Sequence, residues 1–309
     1  MNREKEAIIQ TSQQKARPSH RDPLPYLLIA PAMAVMLGIL VYPALSSIWI
    51  SFHNVKLRSD TAPFNGLANY RAILQSDLLY VVLRNSFIWT LGSMGLQFFL
   101  GFSTALILDR LGGTGNFLRG LLIIPWVMPG IVIAFIWRWM LNADWGVINW
   151  FLLQLGLIPK YQPWLARDGT AMLSLIIANG WKGFPFWMIM LSAGLKAINQ
   201  DMYDAAAVDG ASGWRTLWYV IVPLLRFPLF VTSTLAFIWT FNYFDLIYAL
   251  TGGGPVDATR TVPLYIYDTA FTGFRMGEAS AASVLLLLMM SAIVFMYARV
   301  LRIQGGQLS

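Results

Sequence analysis

The sequence predicts an all-α membrane protein with six transmembrane helices. Two observations lead there. Hydrophobic types make up 57% of the 309 residues and charged types only 12%, about half the charged share of ordinary soluble domains. The apolar residues also gather into runs close to the roughly 20 residues that a helix needs to cross a bilayer. Runs this long and apolar must be helical, because backbone groups in lipid have to be satisfied within their own segment. The six runs are 25–51, 81–108, 117–141, 171–194, 227–250 and 279–301. They define a transmembrane domain over 25–302, with a tail at 1–24 before it and a tail at 303–309 after it.

The first tail, MNREKEAIIQTSQQKARPSHRDP, carries five basic residues and no apolar core. It is therefore not a cleavable signal peptide. It is expected to stay in the cytoplasm, with the first span as an uncleaved anchor, and six crossings return the C-terminus to the same side. Twelve basic residues then fall on the cytoplasmic side and eight outside, the bias that orients membrane proteins. The net charge of +7 is accounted for in this way, without nucleic acid as a partner. The chain has no cysteine, which excludes disulfides and thiolate metal sites.

Several spans contain proline: Pro43 in the first, Pro125 and Pro129 in the third, Pro185 in the fourth and Pro228 at the start of the fifth. Each removes a backbone donor and tends to kink a helix. They read either as packing irregularities or as a bundle bent around a cavity. No separate soluble domain and no internal repeat is visible. The stretch DWGVINWFLLQLGLI (144–158) is too short to span, and its tryptophans suit a helix lying at the outer interface.

Between spans four and five runs YDAAAVDGASGWRTLWYVIVPLL (203–225). Asp201 is expected to cap a helix, with Asp204 three residues on, as in a capping box. Met202 to Asp209 then make two turns, and Gly210 closes them in a left-handed conformation. Ser212 caps a second helix running to Val222, stopped by Pro223. A two-turn helix is marginal alone, and its alanines permit close approach of another surface. That surface is either its own bundle or a cytoplasmic partner.

The residues DAAAVDGASGWRTLWYVIVP look like the "EAA" loop of permease subunits in binding-protein-dependent ABC importers. The match falls on Ala205, Ala206, Asp209, Gly210, Ala211 and Pro223, and departs at Asp204, where the family has Glu. The resemblance implies that the loop, about 199–223, is a coupling helix seated in an ATPase subunit, with Asp204, Ala205, Ala206, Asp209, Gly210 and Ala211 as the ATPase-coupling residues. It also implies the six-helix permease fold of these importers. The implied partners are a second similar permease, two ATP-binding cassette ATPase subunits and an extracytoplasmic solute-binding protein. ATP and Mg would be held by the ATPase subunits, with no cofactor in this chain. The localisation implied is the bacterial cytoplasmic membrane.

A second resemblance narrows the class. TFNYFDLIYALTGGGPVDATRTVPLYIYDTAF (240–271), YPALSSIWISF (42–52), NGLANY (65–70) and IIPWVMPGIVIAFIWRWM (123–140) look like the carbohydrate-type permeases. In these relatives the solute site lies around NGWKGFPFW (179–187) and WTFNYFD (239–245). The resemblance points at Lys182, Gly183, Phe186, Trp187, Trp239, Thr240 and Tyr243. Sugars suit such a set, since aromatic faces and a few hydrogen-bonding groups in a concave apolar site bind them. The same aromatics equally suit bundle filling or an interfacial belt. Ionisable groups inside spans face a cavity or a partner charge, so Lys182 either pairs with Asp245 or meets an anionic solute. Arg138 snorkels toward an interface.

The glycines and proline of TGGGP (251–255) end the fifth span in a mobile or tightly turned outer loop. A soluble binding protein could contact the bundle there. No phosphate loop ending in Lys-Ser/Thr is present, so the driving energy must come from another subunit. An ion- or proton-coupled carrier acting alone is the alternative. It would place several carboxylates or histidines in the spans, where only Asp245 stands clearly, since His20 and His53 lie outside them. A membrane enzyme is remote, with no HExxH, no GxSxG and no clustered metal ligands.

Overall fold

The structure, a computed structural model, describes residues 24–56 and 61–305. The basic cluster of the N-terminal tail and residues 306–309 lie outside the described residues. The described residues form helices joined by short connections, with two isolated bridges, His53–Phe64 and Lys56–Arg275.

The first apolar run is α1 (Leu24–Met36), a π-helical turn (Leu37–Val41) and α2 (Tyr42–Ser51). The π turn explains how this helix passes Pro43. The Tyr42 N–H bonds to Leu37 O, five residues back, which shifts the ladder by one position before the proline that cannot donate. The second run is the 34-residue α4 (Asp77–Arg110), preceded by the short α3 (Ala68–Leu74). Asp77 in its first turn and Arg110 in its last complement the helix dipole.

The third run is not one helix. It divides into α5 (Gly112–Leu122), α6 (Ile124–Val127) and α7 (Gly130–Met140), and the chain bends by 93° between Val127 and Gly130. Pro129 supplies no N–H and holds Met128 in an extended conformation, with ψ at 138°. The interfacial helix expected within 144–158 appears as α8 (Val147–Gln154), with Trp145, Trp150 and Phe151 exposed. The fourth run is α9 (Asp168–Lys196), 29 residues long with Pro185 inside it and no break.

The fifth run also breaks. After the loop helices α10 (Gln200–Val208), α11 (Gly213–Thr216) and α12 (Val222–Leu224) comes α13 (Arg226–Phe241). The run expected to reach 250 is interrupted at Asn242–Phe244 and resumes as α14 (Asp245–Leu250). The segments 213–224 and 226–241 meet at 70°. Then follow α15 (Val262–Tyr267) and the final α16 (Met276–Gly305). Among the described residues three helices can cross a membrane by length and composition: Tyr26–Ser51, Asp77–Arg110 and Met276–Arg299. Counting each bent pair as one crossing gives up to five. The long α9 is less apolar than these, since Asn179, Lys182 and several glycines and serines interrupt it.

The loop 251–261 is tightly turned. Gly252 and Gly253 adopt φ of +59° and +89°, which side-chain-bearing residues rarely reach. Thr251 and Thr259 hydroxyls meet at 2.8 Å, and Thr259 Oγ1 donates to Gly254 O at 2.7 Å. Asn85 Nδ2 of α4 donates to Asp257 O at 2.7 Å and to Arg260 O at 3.2 Å. Arg260 pairs with Asp257 at 2.6 Å and faces Asp268 Oδ2 at 3.3 Å.

The frame of the molecule is the seam between α4 and α9, which pack along most of their lengths. Small residues allow it, as membrane helices without a hydrophobic drive between them require close van der Waals contact. A Cβ on Gly101 would lie 2.5 Å from Trp187 Cβ and 2.7 Å from Phe184 O. Gly101→Val should therefore force the seam open at a cost of about 1–3 kcal/mol, read as a lower midpoint of thermal unfolding in detergent. Gly95→Ala is the control on the same helix, since open space surrounds its position, and its midpoint should not fall.

Candidate functional site

A cavity of about 170 Å³ lies among α4, α6, α9 and α13. Asn179, Lys182, Gly183 and Phe186 line it from α9, and Ala236, Trp239 and Thr240 from α13, with Tyr243 just beyond. Both sets follow the i, i+3, i+4, i+7 spacing that puts residues on one helix face. Gln97 of α4 and Trp126 of α6 complete the lining. The walls are aromatic. Trp126 stacks on Phe186 with centroids 6.1 Å apart, and Phe186 tilts against Trp239 at 5.0 Å.

Polar groups punctuate these walls. Buried Gln97 donates through Nε2 to Asn179 O at 3.2 Å and accepts from Trp187 Nε1 at 3.3 Å. Asn179 Nδ2 and Tyr243 Oη are buried and find no partner among the described residues. A Cβ on Gly130, at the start of α7, would run into Tyr243 Oη, so this glycine leaves the hydroxyl its room. Lys182 Nζ donates to Met128 O at 3.2 Å and Trp126 O at 3.4 Å and lies 6.0 Å from the Tyr243 ring centre. None of the ion pairs among the described residues joins Lys182 to Asp245.

Of the seven residues expected at a solute site, Lys182, Gly183, Phe186, Trp239, Thr240 and Tyr243 are brought together here. Trp187 is not on the wall. It is buried in the seam, edge-on to Phe98 at 5.4 Å, and reaches the cavity only through its hydrogen bond to Gln97. Reasoning from two motifs overlooked Gln97, Trp126 and Ala236. Gln97 had a signal, a lone amide in the middle of an apolar run. Trp126 had only its place between Pro125 and Pro129.

The loop between α9 and α13 forms a second feature. Its helix starts at Gln200 rather than Met202, because Asn199 is the cap: Asn199 Oδ1 accepts from Asp201 N at 3.2 Å. The expected Asp201 cap is thus displaced by a residue two places earlier. Gly210 closes the helix at φ +70°, and Ala211 N donates to Ala206 O at 2.9 Å. A second π turn (Leu217–Ile221) carries the next helix past Pro223 to Leu224, where an end had been expected. Asp204, Ala205, Asp209 and Gly210 are exposed, Ala211 is half-buried, and Ala206 is buried against its own loop. Asp204 Oδ1 accepts from Gln200 Nε2 at 3.0 Å. Burial and then the nearby Asp109 carboxylate push the Tyr203 phenol above its ordinary pKa, as expected where the loop folds back on the end of α4.

The family described as the binding-protein-dependent transport system inner membrane component matches residues 97–305. The chain belongs to this family. The inner membrane component is 37% identical over 281 residues to the trehalose/maltose transport system permease protein MalF of Thermococcus litoralis, covering 90% of this chain and 93% of that one. It is 33% identical over 279 residues to the sn-glycerol-3-phosphate transport system permease protein UgpA of Agrobacterium fabrum, covering 87% and 92%. Its fold matches a chain from the crystal structure of a bacterial ABC transporter involved in the import of the acidic polysaccharide alginate. The TM-score is 0.78 with 21% identity over 91% of this chain and 96% of that one. The protein is a permease of a binding-protein-dependent ABC importer.

Asn179 Nδ2 and Tyr243 Oη are two of several buried polar atoms unpaired among the described residues, Thr90, Ser93 and Ser192 being others, so substitution decides whether Tyr243 serves uptake or packing. A buried polar group without a partner costs about 1–3 kcal/mol and is retained where function requires it. Tyr243→Phe should therefore leave the thermal midpoint unchanged or raised while solute uptake by the reconstituted importer falls several-fold. Equal losses of stability and uptake would make Tyr243 a structural residue.

Proposed function

We propose that this permease moves a carbohydrate or related polar solute into the cytoplasm by alternating access, with the cavity between α9 and α13 as its share of the path. The observation that carries this is the pairing of aromatic walls with unpartnered hydrogen-bonding atoms in one cavity, the chemistry suited to a hydroxyl-rich solute. The sugar and polyol-phosphate names of the relatives agree with it.

In this reading the chain crosses the membrane six times with both termini in the cytoplasm. The broken third and fifth runs each count as a crossing and α9 is the fourth. A second similar permease completes the path. An extracytoplasmic binding protein delivers the solute, and the braced 251–261 loop is the surface that meets it. Two ATPase subunits hold ATP and Mg, and this chain carries no catalysis. The loop helix transmits their movement, with Asp204, Ala205, Asp209 and Gly210 presented outward and Ala206 keeping the loop in shape.

Two measurements test the reading. The reconstituted complex should hydrolyse ATP faster when the loaded binding protein is added, across a panel of sugars, polyols and sugar acids. A chain that transports alone, without ATPase, would overturn it. Gly210→Val puts a β-branched residue at φ +70°, a strain of about 1–2 kcal/mol, with no collision in the surrounding space. It should lower co-purification of the ATPase and cut uptake about tenfold, with the thermal midpoint falling by no more than that strain accounts for.

A further inference from the structure

Among the described residues Lys182 is the one charged residue lining the cavity, and its position suggests a contact with charged solute. The hydrogen bonds point elsewhere. The 93° bend between α6 and α7 frees backbone carbonyls. Pro129 has no N–H to give Pro125 O, four residues back, and Met128 is extended, so its carbonyl leaves the helical ladder. In an apolar bundle such carbonyls need another donor. The Lys182 ammonium reaches across from α9 and donates to Trp126 O and Met128 O. Both bonds are long for a charged donor, and the one to Met128 O, at 3.2 Å, is the closer of the two. Trp126, whose carbonyl is held, also places its ring on the cavity wall against Phe186.

We propose that Lys182 is a positioning residue: it holds the carbonyls of Trp126 and Met128 at the bend, thereby sets the Trp126 wall of the cavity, and does not read the charge of the solute. The inference rests on the cavity being the solute path. It makes solute selection a matter of the aromatic walls and of Asn179 and Tyr243. It also assigns the carbonyls of the α6–α7 bend and the nearby Asp245 carboxylate, rather than the solute, as what the charge faces.

The test separates donor from charge. Lys182→Arg keeps both, Lys182→Gln keeps N–H donors without charge, and Lys182→Met keeps length without either. The absence of native cysteine allows a spin-label pair on Leu121→Cys and Phe135→Cys, exposed positions on the two arms of the bend. Uptake is measured in the reconstituted importer with trehalose as neutral probe and glycerol 3-phosphate as anionic probe. Lys182→Met should broaden the label distance distribution and reduce uptake up to about tenfold, since the carbonyls it releases are part-buried at Met128 and more open at Trp126. Lys182→Arg should restore both, and Lys182→Gln should restore them in part, with the same loss for either probe. Combined with Trp126→Ala, Lys182→Met should add no further loss, because both act through the same wall. A Lys182→Gln loss confined to the anionic probe, or a Lys182→Met distribution identical to wild type, overturns the proposal. If Lys182→Met does not assemble, the Gln-against-Arg comparison decides alone, and if the wild-type importer takes up neither probe, the label distances decide. A wild type with no solute uptake across the whole panel, or with no ATPase coupling, refutes the function proposed above instead.

Discussion

Every backbone carbonyl released inside an apolar bundle must find a donor, and this fold is arranged around that requirement. Two unbroken helices, α4 and α9, supply both the frame and the donors. Where α6 ends, Lys182 of α9 reaches the freed carbonyls. Where α13 ends, fully buried Trp89 of α4 donates its indole N–H to Thr240 O at 2.8 Å. Both broken ends thus lie beside the cavity, and both are held from the frame. The break in each span and the hollow it creates are one structural event. Glycines at the seam let the frame close, and side chains from the frame let the other helices open.

The apolar runs were legible because span length and composition are local properties of the chain. The cavity faces on α9 and α13 were legible too, since helical spacing alone gathers residues 179, 182, 183 and 186, and 236, 239, 240 and 243. The breaks were not. Pro129 ends a helix and Pro185 does not, although both sit in long apolar runs. Met128 before Pro129 takes the extended conformation while Phe184 before Pro185 stays helical, a choice the residue types do not record. Pro43 and Pro223 are passed by π turns, a one-residue shift of the ladder with no signature of its own. The cap at Asn199 was missed because Asp201 is an equally good cap by residue type. Trp187 was misplaced for a subtler reason. It follows Phe186 directly, and adjacent residues on a helix point about 100° apart, so one faces the cavity and the other the seam.

The cavity and the loop are physically continuous. Helix α9 runs from the cavity residues to Lys196, about 15 Å beyond Phe186 at 1.5 Å per residue, and Asn199, which caps α10, follows three residues later. Helix α13 leaves from the other end of the same loop through the 70° bend. Both cavity faces are therefore carried by helices that start or finish at this loop. The loop thus joins the two helices that carry the cavity walls.

The braced 251–261 loop extends this continuity to the opposite end of α4. Its tip, Val256, is 98% exposed, yet the turn beneath it is pinned by Asn85 on α4. The amide of Gln97 sits on that same helix, about 18 Å along at 1.5 Å per residue. The turn beneath Val256 and the amide at the cavity are thus anchored to one and the same helix.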